Sequence, residues 1–211
     1  MNQKNDGDLI AELGFETQIK QWLLEDDYRL NALRIAEQLK LDDWMLAAGF
    51  IRNLVWDKLH NIQTELNDID FIYFDPNDIS ADRDAQIEAE LNRIAPMYPW
   101  SVKNQARMHL RNQHHQYASS LDAMSYWPEK QTAIGVSSQL TASSILTSSS
   151  TFELSASSQP VELTLHSPFD LACLFDLSLQ HNPKVKRRVF KLRLRQKAWL
   201  QTYPKLRDNG R

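Results

Sequence analysis

The strongest constraint on the fold of this chain lies between residues 44 and 75. The short apolar run WMLAAG (44–49) ends in glycine, as a buried strand before a turn does. The next stretch, FIRNLVWDKLHN (50–61), places its apolar residues at helical spacing. DIDFIYF (68–74) then has the Ile, Phe and Tyr content of a strand and is followed by Asp-Pro. The segment therefore predicts a strand, a glycine turn, a helix and a second strand in succession.

Two acidic residues in the second strand predict a metal site. Asp68 and Asp70 are two positions apart, so in a strand their side chains leave the same face. Two carboxylates at such close quarters repel each other, and a divalent cation is the usual compensating charge. Oxygen ligands combined with a substrate phosphate favour Mg²⁺. The alternative is a surface strand that merely ends in Asp-x-Asp, but Ile69 and Phe71 are too apolar for a wholly exposed edge.

The turn before the helix predicts a phosphate-binding element. Glycine at position 49 allows the backbone to approach a ligand closely. A helix N-terminus offers unpaired N–H groups and positive dipole density, and Arg52 lies in its first turn. The alternatives are an ordinary strand-to-helix turn for Ala48-Gly49 and a surface ion pair for Arg52. Together with Asp68 and Asp70, the element places phosphate donors opposite metal ligands.

Composition and motifs exclude several other classes of protein. The single cysteine, Cys173, rules out an internal disulfide and a multi-cysteine zinc site and fits a reducing compartment. The sequence has no run of the ~20 apolar residues that a membrane span needs, and its start does not resemble a signal peptide. It also has no P-loop, no G-x-S-x-G elbow and no H-E-x-x-H motif. We therefore expect a cytoplasmic protein that does not associate with membranes.

Charge is distributed unevenly along the chain. Residues 1–100 carry 20 acidic and 9 basic side chains, whereas residues 101–211 carry 7 and 15. The basic residues are concentrated in KVKRRVFKLRLRQK (184–197), which has eight Lys or Arg and no acid. This stretch is interpreted either as a solvated helix face or as a surface that binds polyphosphate or RNA.

The remaining elements can be predicted more coarsely. Helices are expected at 8–24, 27–40 and 78–94, from Ser101 to about Asn112, from Ser167 to Leu179, and at 184–200. Strands are expected in TAIGVSSQL, FELSASS and VELTLH, with a polar hairpin near 141–150, although the Ser/Thr enrichment of 137–164 also suits a flexible linker. We divide the chain into a helical segment (1–43), one domain (44–206) and a tail (207–211).

Several stretches together resemble the polymerase-beta-like nucleotidyltransferase superfamily. AAGFIRNLVWDKLHN followed by NDIDFIYFD is similar to the head domain of CCA-adding enzymes. GFIRNLVWDKLH, DIDFIYFD, WSVKNQARMH, HSPFDLACLFDL and KAWLQTYPKL resemble a family of small bacterial nucleotidyltransferases. The resemblance implies an α+β fold with a mixed sheet flanked by helices, a helical pair at the N-terminus and a basic helix at the C-terminus. The paired glycine of the superfamily is Ala48-Gly49 here, and the Ser-rich stretch lacks the expected charged hairpin.

The resemblance also implies the residues of the site. Asp68, Asp70 and a third acid on a later strand would be the catalytic and metal-binding residues. Glu162 is the preferred third acid and Glu153 the runner-up, while an outward-facing strand residue is the alternative for Glu162. Nucleotide contacts are expected from the following residues: Ala48, Gly49, Arg52, Asn53, Lys103, Asn104 and Arg107. Lys103 and Arg107 belong with Arg111 to one helix stripe, and Asn104 lies beside it. The alternative is a polar helix face that pairs with the acidic helix at 78–90.

These features predict transfer of a nucleoside monophosphate from an NTP to an unknown acceptor, with two Mg²⁺ ions and release of pyrophosphate. RNA is one possible partner, and the oligomeric state is open. The sequence shows no long all-helical body after the head-like part, the part that handles tRNA in a CCA-adding enzyme. Repair of tRNA ends is therefore not expected. The alternative is a catalytically inactive module that binds a nucleotide or a partner on the same fold.

Overall fold

The computed structural model of the protein describes residues 6–140 and 161–209. Helices and strands alternate along most of this part of the chain. The helices are α1 (Asp6–Leu24), α2 (Asp27–Glu37), α3 (Gly49–His60), α4 (Ala81–Ile94), α5 (Gln105–Asn112), α6 (Ser120–Met124), α7 (Ala172–Phe175), α8 (Arg187–Lys197) and α9 (Trp199–Thr202). The strands are β1 (Met45–Ala47), β2 (Ile69–Tyr73), β3 (Trp100–Asn104), β4 (Gly135–Leu140), β5 (Val161–His166), β6 (Ser178–Leu179) and β7 (Arg207–Asp208). A short 3₁₀ helix spans Lys130–Thr132.

The central sheet is mixed and has the strand order β3-β2-β1-β4-β5. β2 and β3 are parallel, and α4 makes the crossover that a parallel pair requires. β1 pairs antiparallel with β2 and β4, and β4 pairs antiparallel with β5. β1 therefore lies in the middle of the sheet, between the strand that carries Asp70 and the β4–β5 hairpin.

The two faces of this sheet differ in what covers them. Alternate strand residues, including Leu46, Phe71 and Val102, are fully buried in the main hydrophobic core. The N-terminal helices α1 and α2 pack on that core through fully buried residues such as Ile19 and Leu33. The opposite face carries a smaller cluster made of Met45, Ala47, Ile72, Met124 and Ala133. Asp70 belongs to the opposite face, because it is the register partner of Ala47.

Helix α3 fixes the position of the turn that precedes it. Phe50, Ile51 and Val55 are fully buried on its inner side, and Trp56 is buried against the C-terminal segment. The helix ends at Asn61, whose left-handed backbone (φ 55°, ψ 46°) closes the last turn. Because α3 is anchored along most of its length, its first turn is held rigidly at the end of β1.

Three predicted helices differ from the structure. Residues 101–104 belong to β3 rather than to a helix that begins at Ser101, because Trp100 and Val102 alternate into the core and Asn104 caps α5. The helix expected at 167–179 contracts to α7, and the chain passes through a positive φ at Leu177 before β6. The expected basic helix divides into α8 and α9 at Ala198, whose φ is 52°. Glu153, the FELSASS strand and the 141–150 hairpin lie outside the described residues.

Within the described ranges, no helix is long and apolar enough to cross a membrane.

Candidate functional site

Asp68 and Asp70 lie at the sheet face opposite the main core. Asp70 is partly buried in β2, whereas Asp68 is exposed just before that strand begins. Asp68 lies outside β2, and its negative charge acts on the Asp70 carboxyl group. The structure therefore holds one acid in a partly desolvated position and the other at the solvent edge beside it.

The pKa of Asp70 shows that the ionised form of this carboxyl group is disfavoured at its position. Burial of the carboxyl group, followed by the negative charge of Asp68, raises its pKa from 3.8 to about 6. The positive charges of Arg52, Lys197 and Arg193 act in the opposite direction. The positive groups in the structure therefore compensate this pair of acids only partly.

The Ala48-Gly49 turn has an unusual backbone. Ala48 has φ 56° and ψ −116°, a conformation that L-residues rarely adopt. Its N–H donates to the Ile134 carbonyl at 2.8 Å, and its own carbonyl accepts from the Arg52 N–H at 2.9 Å. A Cβ at Gly49 would come within 3.3 Å of the Arg52 guanidinium and 3.7 Å of the Asn53 side chain. Glycine thus allows these two side chains to fold back over the turn.

Arg52 is buried rather than exposed in the first turn of α3. Its guanidinium donates to Thr132 Oγ1 at 3.1 Å and to Asn53 Oδ1 at 2.8 Å. It also lies over the rings of Trp56 and Trp199, at 5.2 and 4.7 Å from the ring centroids. Burial lowers its pKa, while Glu129, Tyr203 and Asp70 oppose that effect. The alternative of a surface ion pair therefore does not describe this residue.

Four residues around this arginine were not among the expected site residues, although Arg193 and Lys197 lie in the basic stretch 184–197. Arg193 and Lys197 of α8 act electrostatically on Asp70, and Trp199 stacks on Arg52. Glu129 is fully buried and accepts a 2.7 Å hydrogen bond from Arg193 Nε. A signal was present, because Arg193 and Lys197 are four residues apart and so share one helix face. The direction of that face depends on tertiary packing.

The structure does not bring Glu162 to the aspartates. Asp70 pairs with Ala47, Ala47 with Gly135, and Gly135 with His166. His166 on β5 is therefore three interstrand spacings away from Asp70, about 14 Å. Glu162 lies four residues further along β5, about 13 Å from His166 in the direction of the strand, and its side chain is exposed. Its position is that of an outward-facing strand residue, which was the alternative interpretation.

The positions that flank Asp70 in the sheet carry no acid. Its register partner in β1 is Ala47 and its partner in β3 is Ser101. Side chains of register partners leave the same face, so the Ser101 hydroxyl lies where a third carboxylate on a neighbouring strand would be. In the described part of the chain, no group of three or more His, Cys, Asp or Glu residues is placed to hold a metal ion.

The three polar residues expected to contact the nucleotide have different surroundings. Asn104 is fully buried, accepts from the Asp75 and Ala106 N–H groups, and donates to the Asp75 and Asp78 carbonyls. Arg107 forms an ion pair with the buried Asp84 of α4. Lys103 is exposed, and its register pairing with Ile72 puts it on the Asp70 face. Of the three, Lys103 is the one whose position suits contact with a ligand at the aspartates.

The donor chemistry at the aspartates fits a Mg²⁺ ion. Mg²⁺ is typically held by one or two carboxylates together with waters and substrate phosphates, rather than by a cage of protein ligands. Asp68 and Asp70 supply two carboxylates, and the Ser101 hydroxyl is adjacent. The raised pKa of Asp70 means that a bound cation would relieve a repulsion already present in the protein.

The fold and its paired aspartates define a class of protein. The mixed five-stranded sheet with flanking helices is a polymerase-beta-like nucleotidyltransferase fold, as the resemblance implied. A solved NMR structure, described as revealing a CCA-adding enzyme head domain, is 27% identical in sequence and has a TM-score of 0.73. The match covers 92% of this chain and 95% of that one.

The family follows from the sequence match. A model of the family described as Nucleotidyltransferase matches residues 34–207, and the chain belongs to that family. No match was found among curated proteins. Family and fold together support nucleotidyltransferase activity in general and imply an NTP substrate.

Proposed function

We propose that this protein transfers a nucleoside monophosphate from an NTP to an acceptor hydroxyl in a Mg²⁺-dependent reaction that releases pyrophosphate. The observation that carries the proposal is the pair Asp68 and Asp70, at the start of β2 beside the Ala48-Gly49 turn. Burial of the Asp70 carboxyl group and the neighbouring charge of Asp68 raise the pKa of Asp70, and a bound cation would offset both effects. The membership of the family and the similarity to the head domain support the same reaction class.

Asp68 and Asp70 would hold the metal, which we expect as two ions. When bound, Mg²⁺ would neutralise charge on the phosphates and stabilise the attacking and leaving oxygens. The proposal assigns the third position to the Ser101 hydroxyl instead of Glu162. Ser101 would offer a neutral oxygen beside Asp70, from a strand held in register by the parallel β2–β3 pair.

The turn and α3 would position the triphosphate. The N-terminal end of α3 carries positive dipole density, and Gly49 leaves room there for the Arg52 and Asn53 side chains. Arg52 would add a fixed positive charge, since Thr132, Asn53 and two indole rings hold its guanidinium in place. Asn53 would act through its hydrogen bond to Arg52, and Lys103 would approach from β3. These groups supply orientation and charge stabilisation rather than covalent chemistry.

Transfer of label from each α-³²P-labelled NTP, in cell extract with Mg²⁺, tests the proposal. We expect wild-type protein to label an acceptor, and Asp68→Asn and Asp70→Asn to reduce labelling at least a hundredfold. Glu90→Gln is a matched control, because Glu90 is exposed on α4 and lies outside the site. Equal labelling by wild type and Asp70→Asn, or no turnover of any NTP, would contradict the proposal.

A nucleotide-binding module without transfer is the second candidate. The neutral residues Ala47 and Ser101 on either side of Asp70 favour it, because a third carboxylate is missing from both neighbouring strands. In that case an NTP would raise the melting temperature without any release of pyrophosphate. The Asp70→Asn variant would then still bind nucleotide in the presence of EDTA.

A further inference from the structure

Helix α8 presents two different rows of basic residues. Arg193 and Lys197 are four residues apart and share one face of the helix. Lys191 and Arg195 form a second row, and they line a separate cavity of about 450 Å³ that also includes Asp208. The helix is anchored between these rows by the fully buried Phe190 and the half-buried Leu194. The two rows therefore face different parts of the molecule.

Arg193 is linked to the Ala48-Gly49 turn through Trp199 and Arg52. Trp199 is placed between two guanidinium groups, with Arg52 at 4.7 Å and Arg193 at 5.9 Å from its ring centroid. Arg52 in turn lies directly over Gly49. One indole ring thus connects α8 to the first turn of α3.

Glu129 fixes the direction of the Arg193 side chain. Its carboxylate is fully buried, and Oε1 accepts from Arg193 Nε at 2.7 Å. Among the described residues, its second oxygen and the Nε of Arg52 are buried without a hydrogen-bond partner. An unpaired oxygen on a buried carboxylate is costly, and the charges of Arg193 and Arg52 beside it offset part of that cost.

Three acids (Asp68, Asp70 and Glu129) and three cations (Arg52, Arg193 and Lys197) lie in this region, so their formal charges sum to zero. Burial and the charge of Asp68 nevertheless keep the pKa of Asp70 raised. A divalent cation on the aspartates would leave a net positive site, which complements a polyanion such as a phosphate chain. Guanidinium and ammonium groups are the donors that proteins use for phosphate oxygens.

We propose that Arg193 and Lys197 bind the phosphate chain of the nucleotide, and that Glu129 and Trp199 are positioning residues that hold Arg193 towards the site. This inference rests on the proposed function for the identity of its ligand, an NTP. Its ligand chemistry, a polyphosphate, is independent of whether the protein transfers anything.

Binding of inorganic tripolyphosphate and of each NTP, measured by calorimetry with and without Mg²⁺, tests the inference. We expect Lys197→Gln to weaken binding of both ligands at least fivefold. Lys191→Gln is the matched control, since it removes the same charge from the other row of the same helix, and we expect a change below twofold. Equal effects of the two variants would overturn the inference.

Variants at Arg193 and Glu129 test the positioning role. Arg193→Lys keeps the charge but loses the planar contact with Glu129 and Trp199, and we expect binding to weaken at least fivefold with its salt dependence retained. Glu129→Asp should recover part of the binding that Glu129→Gln loses. If Glu129→Gln does not fold, the Arg193→Lys result decides, and unchanged tripolyphosphate affinity in that variant would contradict the positioning role.

The failure of this inference can be separated from failure of the proposed function. Tripolyphosphate binding that depends on Lys197, together with no transfer of label, supports the phosphate site and rejects the transfer reaction. Transfer that depends on Asp70 but keeps its KM for NTP in Lys197→Gln supports the reaction and rejects the phosphate site.

Discussion

Asp70 and Ser101 are register partners on two parallel strands, so a carboxylate and a hydroxyl share one face of the sheet at the candidate site. The neighbour of Asp70 on its other side is Ala47. Among the residues of β1, β2 and β3 on this face, Asp70 is therefore the acid and Lys103 the base, and Asp68 directly precedes β2. This relationship leads to a direct test of how much a third carboxylate would contribute.

Replacement of Ser101 by Asp should strengthen metal binding and accelerate transfer. The new carboxylate would lie beside Asp70 and add a charged oxygen ligand where the protein has a neutral one. We expect at least a tenfold increase in Mg²⁺ affinity and in the rate of label transfer, and a lower melting temperature in EDTA because three acids repel one another. Ser101→Asn is the isosteric control without charge. A decrease in both quantities for Ser101→Asp would show that the hydroxyl itself is required.

The raised pKa of Asp70 predicts how stability depends on pH without metal. Because the pKa is about 6 in the folded protein and 3.8 ordinarily, the folded state binds more protons between these values. The free energy of unfolding is therefore not reduced by Asp70 below pH 4. It falls by up to about 3 kcal/mol as the pH rises through 6. Asp70→Asn should remove this loss, so that the variant is more stable than wild type at pH 7.5 in EDTA.

Urea denaturation at pH 4.5 and 7.5, in EDTA and in Mg²⁺, measures this effect. Mg²⁺ should restore the stability of the wild type at pH 7.5 and have little effect on Asp70→Asn. An Asp70→Asn variant that is less stable than wild type at pH 7.5 in EDTA would contradict a cost of ionising the Asp70 carboxyl group in the folded protein.

The sequence predicted those parts of the fold whose signals are local. The β1 to β2 segment followed from periodicity and from a glycine at the turn, and the paired aspartates followed from strand alternation. β3 was missed because Trp100 and Val102 are only two apolar positions in a short strand that runs directly into α5. Over so few residues, the sequence pattern of one helix face cannot be distinguished from that of a short strand followed by a helix.

The position of residues relative to the site was harder to predict. Glu162 was chosen by the order of the strands, but the register of β4 and β5 determines its distance from Asp70. Register is decided by long-range packing and by the turn between the strands, and a shift of a few residues changes every neighbour. The direction of Arg193 is likewise set by Glu129, which is far from it in sequence.

Asn104 should matter for stability, whereas Lys103 should matter for binding. Asn104 joins the start of α5 to the loop after β2 through four hydrogen bonds, and its amide is fully buried. We expect Asn104→Ala to lower the free energy of unfolding by about 2–4 kcal/mol, since it leaves buried backbone groups unpaired. Lys103→Ala should change stability by less than about 0.5 kcal/mol and weaken NTP binding. A stable Asn104→Ala variant that has lost nucleotide binding would instead support the contact expected from the sequence.

Ala48 occupies a backbone conformation that glycine tolerates better. Other non-glycine residues with positive φ, such as Asn61 and Gln113, are in the left-handed helical region, with ψ of 46° and 41°. Ala48 has ψ −116° and lies outside that region, a strain of about 1–3 kcal/mol for a residue with a Cβ. Glycine relieves the strain but costs about 0.5–1 kcal/mol of unfolded-state entropy.

Ala48→Gly should therefore stabilise the protein by about 1 kcal/mol, as measured by urea denaturation in EDTA. Ala47→Gly is the matched control, because Ala47 is fully buried in β1. We expect this variant to be less stable than wild type by a similar amount. The strained turn also holds Arg52, whose N–H donates to the Ala48 carbonyl. If Ala48→Gly is instead less stable than wild type, contacts of the Ala48 methyl group stabilise the turn by more than the backbone strain destabilises it. The strain would then not limit the stability of the site.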